Sequence, residues 1–215
     1  MADRTIQVLV PATNFDLLTL EEAKTLLNMS QTDTSQDELL SMWITSFSLI
    51  IADMCNRTFA KEKVTETWRE TYDGRMFLSH WPVVPTDVEE VSDGGVFLDV
   101  NSYELEGKSG KVSNLLLGDA QSSKWMTPSV ITYTGGYTLP DEAPPPLKHA
   151  TVLLIRDEKI RLQQAQTAGI RQIMHKHSRV MFFDPNAILI KTAGLKYPGA
   201  QAAEALLRPY IRIEV

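Results

Sequence analysis

The chain has 215 residues, 43% apolar and 22% charged, enough to bury a sizeable core and ordinary for a soluble globular protein. Its formal charge of -6, from 21 basic and 27 acidic residues, disfavours an electrostatic grip on nucleic-acid phosphates, which needs clustered Lys and Arg. A single cysteine, Cys55, rules out an internal disulfide or a multi-cysteine zinc site and suits a reducing cytoplasm; no run nears the roughly 18 apolar residues of a membrane span, and the opening MADRTIQVLVPATNF lacks the apolar stretch of a signal peptide.

In chain order, Thr19-Leu20-Glu21-Glu22 and Ser35-Gln36-Asp37-Glu38 both fit the capping box, in which a hydroxyl serves the amide three residues on and a carboxylate returns the contact. Leu20, Ala23, Leu26 and Leu27 then form a short apolar stripe. Leu40, Trp43, Ile44, Phe47, Ile50, Ile51 and Met54 repeat at three and four over about four turns. The spacing predicts a helical hairpin with one long arm over 18–60, with Cys55 a small buried hydrophobe at its end.

From Lys63 the period changes to two. Val64, Glu66, Trp68, Glu70 and Tyr72 face one way, Thr65, Thr67, Arg69 and Thr71 the other, and Asp73-Gly74 reads as a turn. Short runs at Val96 to Val100, Tyr103 to Leu105, Lys111 to Leu117 and Val130 to Thr134, broken by glycines, predict a small antiparallel meander over 61–134. Gly135-Gly136 lets the backbone leave the last strand, and Pro144 to Pro146 are tolerated only in a first turn, so a long helix is expected from about Pro145 over 145–168, covering the sheet. The segment 170–197 reads as irregular or extended. A short helix, Gly199 to Leu207, ends at Pro209, and the tail YIRIEV is extended. The whole, 1–215, is one α+β domain.

Candidate chemistry is sparse. Gly107-Lys108-Ser109 resembles the end of a phosphate-cradling loop, but Ser102 stands where the motif needs glycine and a strand follows where it needs a helix; a hairpin turn is the better reading. His175, His177 and Asp184 are metal-ligand types that a metal-dependent hydrolase would use, yet they fit polar residues of a strand equally. The serine-nucleophile elbow GxSxG is absent, and Glu89-Glu90 reads as solvated loop charge. Trp68, Trp81 and Trp125 would suit a carbohydrate- or nucleic-acid-binding module, but without basic neighbours a sheet core or protein interface fits better. The sequence assigns no catalytic residue, metal or cofactor.

Taken in order, LLTLEEAKTLLNM, the capped DELLSMWITSFSLIIADMCNRTF, WPV, ITYTGGYTLPDEAPPPLKHATVLLI and AAEALLRPY resemble the head-tail connector, or adaptor, proteins of tailed double-stranded-DNA bacteriophages. The family's N/G-R-x-F signature falls on Asn56 to Phe59, its L-x-x-x-P-V strand on Leu78 to Val83, its glycine-LP junction on Tyr133 to Pro140, and its terminal LL-x-x-Y helix on Leu206 to Tyr210. The resemblance implies a non-enzymatic virion protein, assembled in the host cytoplasm. It would form a ring, usually of twelve subunits, beneath the portal protein and extend the DNA channel to a stopper, neck or tail-completion protein. Double-stranded DNA would pass without specific binding, and no membrane is involved. It implies portal docking through Leu206, Leu207, Tyr210, Ile211 and Ile213, and subunit contacts through Trp43 and Phe47. A stopper or neck protein of the same complex is the alternative. The chain's longer 61–134 and 170–197 regions depart from small family members.

Overall fold

The computed structural model describes residues 4–69, 75–115, 125–166, 172–175, 178–181 and 198–212. Helix α1 (Leu20–Leu26) opens on the expected capping box: Thr19 Oγ1 accepts from the Glu22 amide at 3.1 Å, and Glu22 Oε2 from the Thr19 amide at 3.0 Å. Helix α2 (Asp37–Met54) does not. Its N-cap is Gln36, with no side-chain cap, and the Ser35 amide is engaged instead by Asp33 Oδ1 at 3.0 Å. The cause is Lys24, buried on α1, whose ammonium gathers the Asp33 carbonyl at 2.8 Å and the Asp37 carboxylate at 2.6 Å and so shapes the inter-helix loop around itself.

Both helices end on an asparagine with positive φ, Asn28 at 56° and Asn56 at 51°. At the second, the Asn56 amide reaches Asp53 O (3.0 Å) and the Arg57 amide reaches Ala52 O (3.2 Å). This is the two-bond Schellman ending, so the Asn-Arg-x-Phe signature is, locally, a helix stop.

The β region contains two antiparallel sheets. One has the order β1 (Arg4–Val10), β2 (Glu62–Trp68), β8 (Ser129–Gly135), β4 (Val88–Asp93), β5 (Val96–Phe97). The other has the order β3 (Arg75–Phe77), β7 (Lys111–Asn114), β6 (Tyr103–Glu106). The antiparallel sheet is as expected; the meander order is not, because β2 pairs with the distant β8 (Val64 opposite Tyr133, Glu66 opposite Ile131) rather than with its successor. Two strands, β1 and β4, went unread. Glu89 and Glu90 lie on β4, not in a loop, with both side chains exposed. The Val96 strand is two residues long, and the Asp73-Gly74 turn lies outside the described residues. As expected, 107–110 is a hairpin turn, joining β6 to β7. The facing sheets bury Val64, Trp68, Met76, Leu78, Trp81, Val83, Val112, Trp125, Ile131 and Tyr133. A further hairpin pairs β9 (Gln172–His175) with β10 (Ser178–Met181).

The exit from β8 requires glycine twice. A Cβ on Gly135 would stand 2.3 Å from the His80 carbonyl oxygen, and Gly136 has φ +107° with the Ala60 carbonyl oxygen 2.3 Å from where its Cβ would be. The chain then enters α3 (Pro145–Gln166), which runs between α2 and the C-terminal α4 (Pro198–Leu207) instead of covering the sheet. The sheet needs no helix, since the second sheet closes its core. Asp157 of α3 accepts the Gly199 (2.7 Å) and Ala200 (3.2 Å) amides and so caps α4 from outside its own sequence.

Candidate assembly surfaces

Where β2, β8 and the 78–83 loop meet, five buried polar side chains form one network. Glu66 Oε1 accepts from the Ser79 amide (2.8 Å), from Ser79 Oγ (2.5 Å) and from the Tyr133 hydroxyl, while Arg4 Nη1 approaches Glu66 Oε2 at 3.5 Å. His80 has Nδ1 2.7 Å from Ser79 Oγ and Nε2 2.9 Å from Glu62 Oε2, and Glu62 Oε1 accepts from the Ala12 amide at 3.0 Å. Ser79, His80 and Glu62 thus have the connectivity of a serine-nucleophile relay without its use. The Ser79 hydroxyl is buried and donates to Glu66, so it has no free trajectory toward a substrate. Burial outweighs the pull of Glu62 and pushes the imidazole of His80 below its ordinary range, and burial with the Glu66 carboxylate pushes the Tyr133 phenol up. The network ties the N-terminal strand to the sheet. Sequence reading missed it because its members lie far apart in the chain.

Arg57, next to the helix stop, is the second buried polar feature. Its guanidinium lies 3.2 Å from the Trp81 ring centroid and 4.5 Å from that of Phe59, with no hydrogen-bond acceptor on its nitrogens. Desolvation lowers it to about 9. Cys55, wholly buried at the α2 C-cap, is raised to about 11 by the same cause and is an inert thiol.

Among the residues the sequence singled out, Trp43 is 6% exposed and packs with Leu18, Ala23, Leu40, Ile44, Val152 and Ile155, with Phe47 against the same cluster. Leu207 is 1% exposed, in a cluster with Leu17, Ile51, Phe59, Leu147 and Ala203, onto which Leu206 and Tyr210 pack in part. Ile211 is exposed; Ile213 lies outside the described residues. His175 is on β9, whereas His177 and Asp184 lie outside the described residues, and among those described no group of three ligand-type residues converges. Trp68, Trp81 and Trp125 are core residues, which removes the stacking platform a binding module would need.

The surface that does stand open is the other side of α2. Leu39, Met42, Leu49, Ile50 and Met54 recur at spacings of three, seven, one and four, and all are exposed, Met42 at 57%. One face of α2 builds the core and a second apolar face stands uncovered among the described residues. The signal was present in the sequence: DELLSMWITSFSLIIADM carries more apolar residues than one buried face can use. A third apolar surface is the N-terminal strand, with Ile6, Val8, Leu9 and Val10 exposed.

The profile of the head completion protein family matches residues 16–176. No curated protein sequence matches the chain. Among solved structures, the chain is similar to one in the virion of a native gene transfer agent particle and to one in the neck of an empty gene transfer agent particle computed with C6 symmetry. Each match has a TM-score of 0.52 and 16% identity over 98% of this chain and 97% of the other, a likeness of fold. With three-quarters of its length matched by one profile, this chain belongs to the head completion protein family, a structural and non-catalytic one.

Proposed function

We propose that the protein is a ring-forming neck component, set between the portal vertex and the tail and continuing the DNA channel from one to the other. The carrying observation is the second apolar face of α2, Leu39, Met42, Leu49, Ile50 and Met54, on a helix whose other face is packed into its own core. In a ring each subunit offers two different patches to its two neighbours, and a helix apolar on both sides supplies one of them while still holding its own fold. The likeness to a neck solved with six-fold symmetry supports a ring, and twelve copies would be compatible with it. The net charge of -6 suits a channel through which DNA slides without being held.

The stopper or neck position fits better than a portal-bound adaptor. An adaptor would send its C-terminal helix into the portal, whereas α4 is capped by Asp157 and buries Ala203 and Leu207 in its own chain. Contact with the portal or with a tail-completion protein then falls to Ile211 and the partly exposed Leu206 and Tyr210. Mixing the purified protein with portal-bearing heads, then imaging and weighing the product, tests the reading. Rings are expected from the unaltered chain. Met42→Lys with Leu49→Lys should lose them while keeping the thermal melt of the subunit, and rings that persist in this variant would remove α2 from the contact.

A further inference from the structure

The five-stranded sheet has two open ends. At one, β1 pairs only with β2, and its outer edge has no strand partner among the described residues. Exposed edges of this kind are normally blunted by charge or proline. Here the one charge within β1, Arg4, is turned onto Glu66 and lies 5.2 Å over the Trp68 ring, leaving Ile6, Val8, Leu9 and Val10 open. Ile6 and Val8 stand opposite Glu66 and Val64, so they continue the core face of the sheet beyond the point where the second sheet covers it.

At the other end, β5 is too short to cover β4. It pairs with Ser92 and Asp93 only, and the Leu98 amide still reaches Val91 O at 2.9 Å before the chain departs, so among the described residues the outer edge of Val88 to Glu90 has no strand. Beside that edge runs a groove of about 250 Å³ lined by Val88, Val91, Phe97, Leu98, Val100 and Tyr103, rimmed by Glu89 and Glu90. Phe97 is 72% exposed. The groove carries two acids and no base, Glu89 being held by Lys63 of β2 at 2.7 Å, whereas β1 carries Arg4 and no acid, and Arg69, directly after β2, hydrogen-bonds Thr5 at 2.9 Å, adding positive charge at the same end.

We propose that β1 of one copy adds as a strand to the outer edge of β4 in the next copy, seating Ile6 and Val8 in the groove between β4 and the Phe97–Tyr103 segment. Main-chain hydrogen bonds would hold the strand and alternate side chains would fix its register. The two surfaces differ and lie at opposite ends of one sheet. The contact is therefore head to tail, the kind that propagates from copy to copy until it closes. This rests on the ring reading above and names a contact within it, separate from α2.

Paired cysteines test it in the assembled ring. Chains carrying Val8→Cys with Val88→Cys, or Ile6→Cys with Val88→Cys to allow for register, put both thiols on the core face of the extended sheet and should give a ladder of covalent oligomers on oxidation, and each single variant should give none. The buried Cys55 stays silent in all of them. Independently, Ile6→Lys with Val8→Lys should abolish the ring mass while leaving the subunit's melt unchanged. Rings without a ladder from either pair, and retained in the lysine variant, would overturn the strand contact and leave the ring reading standing. Failure of the unaltered chain to form rings would overturn both. A dimer from Val8→Cys alone would mean β1 meets β1, and intact rings that no longer bind portal in the lysine variant would make β1 a portal contact; either result overturns the proposal.

Discussion

Helices α2 and α3 lie side by side, share Trp43, Val152 and Ile155 in one cluster, and treat the outside differently. The outward side of α3 is mixed, with Arg156, Arg161 and Gln163 interleaved with Ile160 and Leu162 and an i,i+3 pair between Glu158 and Arg161. That of α2 carries Leu39, Met42, Leu49 and Ile50. A common core thus coexists with outer surfaces of different character, more apolar on α2 and more charged on α3. Folding alone demands one apolar face per helix, and the second face of α2 is the one that the proposed ring contact would use.

The contrast breaks most visibly under truncation. Ile155→Ala removes a wholly buried side chain from the shared cluster and should cost about 3 kcal/mol, whereas Leu49→Ala on the open face should cost under about 0.5 kcal/mol. Urea denaturation of the isolated subunit measures both, and equal losses would mean that the outer face of α2 is stabilising its own chain after all.

Acid provides a second cut, through the β half. His80 is held below its ordinary value of 6.5 by burial, so the unfolded chain binds the proton more readily than the folded one. Its contribution is therefore present above that value and is lost as pH falls through it. Stability should decline from about pH 7 toward 5, and His80→Gln should flatten that limb; an unchanged slope in the variant would assign the acid sensitivity elsewhere.

The smallest expected effect sharpens the reading of the two helix starts. Thr19→Ala breaks an observed capping box and should cost about 1 kcal/mol; Ser35→Ala, at a box that does not form, should change stability by less than about 0.3 kcal/mol.

The pair of starts also illustrates what was legible. The helical elements could be read because their determinants are local: period, caps, prolines, and a terminal pair such as Gly135-Gly136. The second box failed because a lysine from the preceding helix, Lys24, decides where the loop goes, and no window around Ser35 contains it. Strand order was lost for a related reason. β2 finds β8 some sixty residues later, and nothing in Glu62–Trp68 says so. On α2, amphipathicity located the helix but not the division of its faces: Trp43 and Phe47, the largest side chains, went inward, and the smaller Leu39, Met42 and Leu49 were left out. Size favours burial, so the bulkiest side chains of a helix mark its core side first.

The carboxylate of Asp157 fixes where α4 begins by binding its first amides, and it does so from a rigid neighbour rather than through the chain that leads there. The connection over residues 167–197 is thereby relieved of any duty to aim the helix. A change of length or sequence in that stretch should leave the terminal helix in the same seat.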